Sequence, residues 1–93
     1  MHKVGSKQNL IKELMRVLSE AVVPTRIDEA LRLLNDIKEY DFKQKVSVYF
    51  YYDEVIDDVI CLTENKNEVD WDAELVVEIV KDATGFYARV SGL

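Results

Sequence analysis

Apolar positions recur at helical spacing up to Ile37 and alternate from Lys45 onward, so the chain divides into a helical part and a strand part. In Asn9 to Leu18, the residues Leu10, Ile11, Leu14, Met15 and Leu18 fall on one side, with Lys12, Glu13 and Arg16 opposite, which predicts an amphipathic helix. Thr25 to Ile37 repeats the pattern with Ile27, Ala30, Leu31, Leu34 and Ile37. Here Thr25 suits the N-cap, and Asp28 is placed where a carboxylate can answer the exposed N–H groups and the helix dipole. Between the two, Val22 and Val23 are β-branched and Pro24 has no N–H, which predicts an extended chain up to the proline. Glu20 falls at this junction. It is either a strand carboxylate that must face solvent or a partner, or a carboxylate at the C-terminal end of the first helix.

Beyond Lys45, Val46, Val48, Phe50 and Tyr52 share one face of a strand and Ser47, Tyr49 and Tyr51 the other. Asp53 to Asp58 is an acidic turn and Val59 to Thr63 a second strand. The segment 64–70 is a polar connection with no packing signal. Leu75 to Val80 is apolar enough to be a central third strand, and after a tight connection at 81–85 comes a fourth, Phe86 to Val90. The expected architecture is α+β: a single domain over residues 1–93, with two N-terminal helices packed on one face of an antiparallel β-sheet of about four to five strands.

Composition narrows the function classes. Cys61 is the sole cysteine, which rules out an intramolecular disulfide; its apolar surroundings predict a buried, inert thiol in a reducing compartment. No apolar run approaches the roughly 18–20 residues that span a bilayer, so the expectation is a cytoplasmic protein with no membrane partner. The net charge of −6 is unevenly distributed. Met1 to Arg26 holds five Lys/Arg and two Glu, whereas Asp53 to Glu74 holds nine acids and Lys66 alone. Such an acidic half repels nucleic acid and either attracts a protein with a basic groove or serves as a solvated face.

Catalytic chemistry finds little support. His2 is the lone histidine and falls in a terminus expected to fray, and Gly5, Gly85 and Gly92 form no phosphate-binding loop. Neither an enzyme nor a bound cofactor or metal is expected. Tyr49, Tyr51 and Tyr52 could form a base-stacking platform, but no cation is interleaved with them, and a strand face accounts for their spacing.

Several short motifs, taken in order, resemble a known family. They are Asn9-Leu10 opening a helix, Glu20-Ala21-Val22, Pro24 followed by Ile27-Asp28-Glu29-Ala30-Leu31, and Tyr52-Asp53-Glu54. After them come Val59-Ile60-Cys61-Leu62-Thr63, Trp71 ahead of Leu75-Val76-Val77, and the turn at Gly85. This succession resembles the bacteriophage uracil-DNA glycosylase inhibitors of the small acidic type that mimic DNA. Ala21 stands where that family has a serine, and Arg26 where it has an acid.

The resemblance implies an inhibitor that presents carboxylates where DNA phosphates would sit and an apolar pocket for the enzyme's wedge side chain. By carry-over, Glu20, Ala21 and Val22 would form the inserted edge, Asp28 and Glu29 would be flanking phosphate mimics, and Ile27, Ala30, Leu31, Val48, Ile60, Leu62 and Val76 would line the pocket. The partner implied is a host uracil-DNA glycosylase, with no nucleic acid bound. Two other classes remain open: an acidic inhibitor or antitoxin-like binder of another basic enzyme, and an assembly module that pairs through a sheet edge.

Overall fold

An apolar helix stripe and an alternating strand can each bury one side only by stacking as layers. The computed structural model describes residues 1–22, 26–53, 58–59 and 61–92. Strand β1 (His2–Gly5) precedes helices α1 (Lys7–Ala21) and α2 (Ile27–Glu39). Strands β2 (Val48–Asp53), β3 (Asp58–Val59), β4 (Leu75–Asp82) and β5 (Gly85–Ser91) follow. The strands form one antiparallel sheet in the order β1-β5-β4-β2-β3, and both helices cover one of its faces, giving the expected α+β architecture with β4 central.

Helix α1 starts where the Ser6 hydroxyl accepts the Asn9 N–H at 3.2 Å, and it buries Leu10, Leu14, Val17 and Leu18. It runs through Ala21, so of the two readings of Glu20 the carboxylate at the C-terminal end of the first helix is the one that forms: Glu20 and Ala21 are helical and no strand edge includes them, and Val22, itself extended, caps the helix by donating its N–H to the Leu18 carbonyl at 2.9 Å. Helix propagation needs only one further residue's dihedrals per hydrogen bond, and this outweighs the β-preference of a single valine. Val23, Pro24 and Thr25 lie outside the described residues, as does the proposed Thr25 cap.

Helix α2 buries Ala30, Leu33, Leu34 and Ile37, whereas Ile27 and Leu31 are 45% and 53% exposed. The buried stripe is centred one position away from the expected one: Leu33 takes the inward place and the Ile27/Leu31 pair lies on the flank. Under the helices, Val48, Phe50 and Tyr52 pair with Ile79, Val77 and Leu75. All six are fully buried in one cluster with Ala88 and Phe86, and burial of each large side chain contributes roughly 1.5–3 kcal/mol.

Three expectations give way. His2 lies in an edge strand, not in a frayed end, because β5 supplies the pairing partner for β1. Gly85 makes that docking close: its φ is +133°, and a Cβ there would sit 2.8 Å from the Gly5 carbonyl oxygen. The connection after Thr63 does pack, since Asn65 caps a 3₁₀ turn (Lys66–Glu68), and Val69 and Ala73 then bury against Tyr49 and Val76 on the open sheet face. Cys61 is exposed, not buried: it lies outside β3, and among the described residues after that strand the Tyr49–Thr63 bridge alone pairs with β2. The expected turn between Asp53 and Asp58 falls largely outside the described residues.

Candidate functional site

The acids that stand out in three dimensions are those at the C-terminal end of α2. Asp36 and Glu39 lie on its last turns, where the negative pole of the helix disfavours carboxylates, so their place there needs a reason other than helix stability. Being three residues apart, they share a side of the helix. With Tyr40, Cys61 and Leu62 they line a shallow groove of about 360 Å³ between α2 and the segment after β3. Leu62 is half-buried against the core, Cys61 is exposed, and Asp41 is exposed just beyond the helix end.

Tyr40 holds this end of α2 to both sides of the molecule. Its hydroxyl donates to the Glu64 carboxylate, which adds a further acid to the rim. The phenol is pushed up to about 12, first by that hydrogen bond and then by burial and by the charges of Glu64 and Asp41. Its carbonyl accepts from the Lys7 ammonium at 2.8 Å, and the same ammonium lies 5.3 Å from the centre of the Phe42 ring. Beyond Lys7 the surface changes sign, because Lys7, Lys12 and Lys38 line a second groove with Gln8 and Ile11. Acidic and basic surfaces thus meet across one helix.

The residues implied by the resemblance are dispersed. Glu20 points outward from α1 and is bound to Arg16 at 3.2 Å, while the same guanidinium holds Glu13 at 2.8 Å. Ala21 is half-buried and Val22 buried, so the three present no strand edge. Asp28 is exposed in the first turn of α2. Glu29 is half-buried, and its carboxyl is held below its ordinary value by its own backbone N–H and by the Arg26 guanidinium at 3.1 Å. Of the implied pocket, Ala30 and Val48 are interior, Leu62 is half-buried, and Ile27 and Leu31 are exposed. Val76 lies on the opposite sheet face. Strand alternation causes that split, because Val76 pairs with Tyr51, one position out of phase with the residues under the helices. Ile60 lies outside the described residues. Among the described residues these positions are thus divided between the two sheet faces and the surface.

Sequence reasoning passed over Asp36, Glu39, Tyr40 and Glu64. The available signal was the pair of acids at a helix C-terminus. Among the described residues no group of three or more His, Cys, Asp or Glu could hold a metal ion, and no helix is long and apolar enough to cross a membrane. Neither a family model, nor a curated protein, nor a solved structure matches the chain.

Proposed function

We propose that this domain is a protein inhibitor of uracil-DNA glycosylase that acts as a DNA mimic. Its docking surface is the acidic flank of α2. Asp36, Glu39, Asp41 and Glu64 stand in for phosphates, and Leu62 and Cys61 between them offer an apolar floor to a wedge side chain. At the other end of the helix, Asp28 and the exposed Ile27 and Leu31 extend the contact. The observation that carries the reading is the placing of Asp36 and Glu39 against the helix dipole, around an apolar floor. Carboxylates so placed cost stability locally, and a basic partner recovers that cost on binding. The ordered motif resemblance supplies the target class. A glycosylase of that kind works in the bacterial cytoplasm, and this reading puts the inhibitor there as well.

The mode differs from the one the motifs imply. Glu20 to Val22 close a helix, so no strand is inserted into the enzyme's groove, and α2 with the segment after β3 takes that part. Uracil excision from a duplex by a bacterial glycosylase, titrated with this protein, tests the proposal. Activity is expected to fall linearly to zero near equimolar protein and to return as salt screens the encounter over the roughly 8 Å Debye length of physiological solution. Undiminished excision at several-fold molar excess of the protein would overturn it.

A further inference from the structure

The open face of the sheet carries a third groove, of about 460 Å³, formed where the segment after Thr63 folds back over β2 and β4. Tyr49 and Val76, both nearly buried, form its floor, and Trp71 forms one wall, with its ring 5.8 Å from that of Tyr49 in an edge-to-face arrangement. The Trp71 indole N–H donates to the Lys66 carbonyl at 3.4 Å, so the 3₁₀ turn fixes the ring, yet 53% of the residue stays exposed. A large aromatic held in place and left open to solvent on one side is a ready stacking surface.

The charge of this groove runs against that of the whole molecule. Lys66, the single cation among the nine acids of Asp53 to Glu74, lies with its ammonium 6.0 Å from the centre of the Trp71 ring. Among the described residues it makes no ion pair with any of those acids. Arg89 joins it on the lining. The one carboxylate there, Glu78, is already engaged: Ser47 donates to one of its oxygens at 2.8 Å, and Arg89 Nε lies 3.9 Å from the other. That contact uses the inner nitrogen of the Arg89 guanidinium, and the outer two make no hydrogen bond among the described residues. Lys66 and Arg89 against Glu78 leave the lining with one net positive charge in a protein of net charge −6.

We propose that this groove binds a small planar ring carrying an anionic group, with the ring against Trp71 and the anion between Lys66 and Arg89. The volume suits a ligand of mononucleotide size or smaller, because small-molecule sites begin at about 300 Å³. Stacking supplies the contact area, and the guanidinium supplies paired donors for a phosphate or carboxylate. The site lies on the face away from the helices and is independent of the inhibitor reading.

Trp71 is the only tryptophan, so its indole ¹H–¹⁵N signal reports on this groove alone. The full chain is titrated with adenosine 5′-monophosphate and, separately, with indole-3-acetate; adenosine and inorganic phosphate serve as controls. A saturable shift of the Trp71 signal is expected with a ring anion, and whichever of the two binds tells a nucleotide from an aromatic carboxylate. Adenosine or phosphate alone should bind at least about tenfold more weakly, and Lys66→Gln and Arg89→Gln should each weaken the ring anion several-fold with unfolding temperature unchanged. The proposal is overturned if neither ring anion gives a saturable shift, if adenosine binds as well as its monophosphate, or if both glutamine variants keep full affinity.

Discussion

The layer between helices and sheet and the grooved rim around it follow different rules. In the layer, Phe50, Val77, Leu14 and Ile37 are each fully buried, and position along a strand or helix decides which residue goes in. On the rim, Asp36 shares a groove with Cys61, Lys7 donates to the Tyr40 carbonyl, and Lys66 and Arg89 line a groove with Tyr49, all residues far apart in the chain. Burial makes the layer costly to alter and silent in recognition. Exposure makes the rim cheap to alter, and that freedom is what lets it carry opposed charges on two sides of α2.

The two sides of the sheet provide the strongest test of that contrast. Phe50→Ala removes a ring from the centre of the layer and is expected to destabilise by about 3–5 kcal/mol, enough to unfold a marginal domain of this size. Val76→Ala, on the open face under Tyr51, should cost only about 1–2 kcal/mol, since the small cluster there can close over the lost methyls. Denaturant midpoints of the two variants give the ratio, and equal losses would erase the distinction between the faces.

A smaller effect is expected at the rim as pH rises. The Tyr40 phenol is raised in the folded chain from 10 to about 12, so its bond to Glu64 contributes fully below the ordinary tyrosine value and is lost as pH climbs through the folded one. Absorbance titration of the native protein should show the Tyr40 phenol ionising near 12, identified by its absence from Tyr40→Phe, and Glu64→Gln should bring it down towards its ordinary value. A Tyr40 signal that does not respond to Glu64→Gln would detach the rim's two acidic segments from one another.

These same rules decide what could be read from the chain before its fold. The alternation of Val48, Phe50 and Tyr52 and the apolar run from Leu75 are direct consequences of burial on one face or two, so the sheet's centre and both helices were legible. Strand β1 was not, because a short edge strand with Val4 as its apolar member takes its order from β5 and Gly85. The helical state of Glu20 was one of two readings the sequence allowed, because the valines and proline after it favour an extended chain. Cys61 was expected inside because its neighbours are apolar, but pairing lapses there. No cation is interleaved with Tyr49 and Tyr51 in sequence, and Lys66 and Arg89, which line the groove at Tyr49, arrive from other segments. As for the site, the motifs pointed to α2 and to Leu62 but not to the end of the helix where the acids converge.

The central claim is that the acidic flank of α2 is the surface that meets the enzyme. Asp36 and Glu39 are exposed and make no hydrogen bond that holds the fold among the described residues, so reversing both leaves the core intact. The decisive measurement is the dissociation constant for a bacterial uracil-DNA glycosylase of the wild-type chain beside Asp36→Lys/Glu39→Lys, with unfolding of each checked in parallel. The account predicts tight binding by the wild type and a loss of at least about a hundredfold in the folded double variant, on the order of 3 kcal/mol. A wild type that does not bind, or a folded double variant that binds as the wild type does, would contradict it.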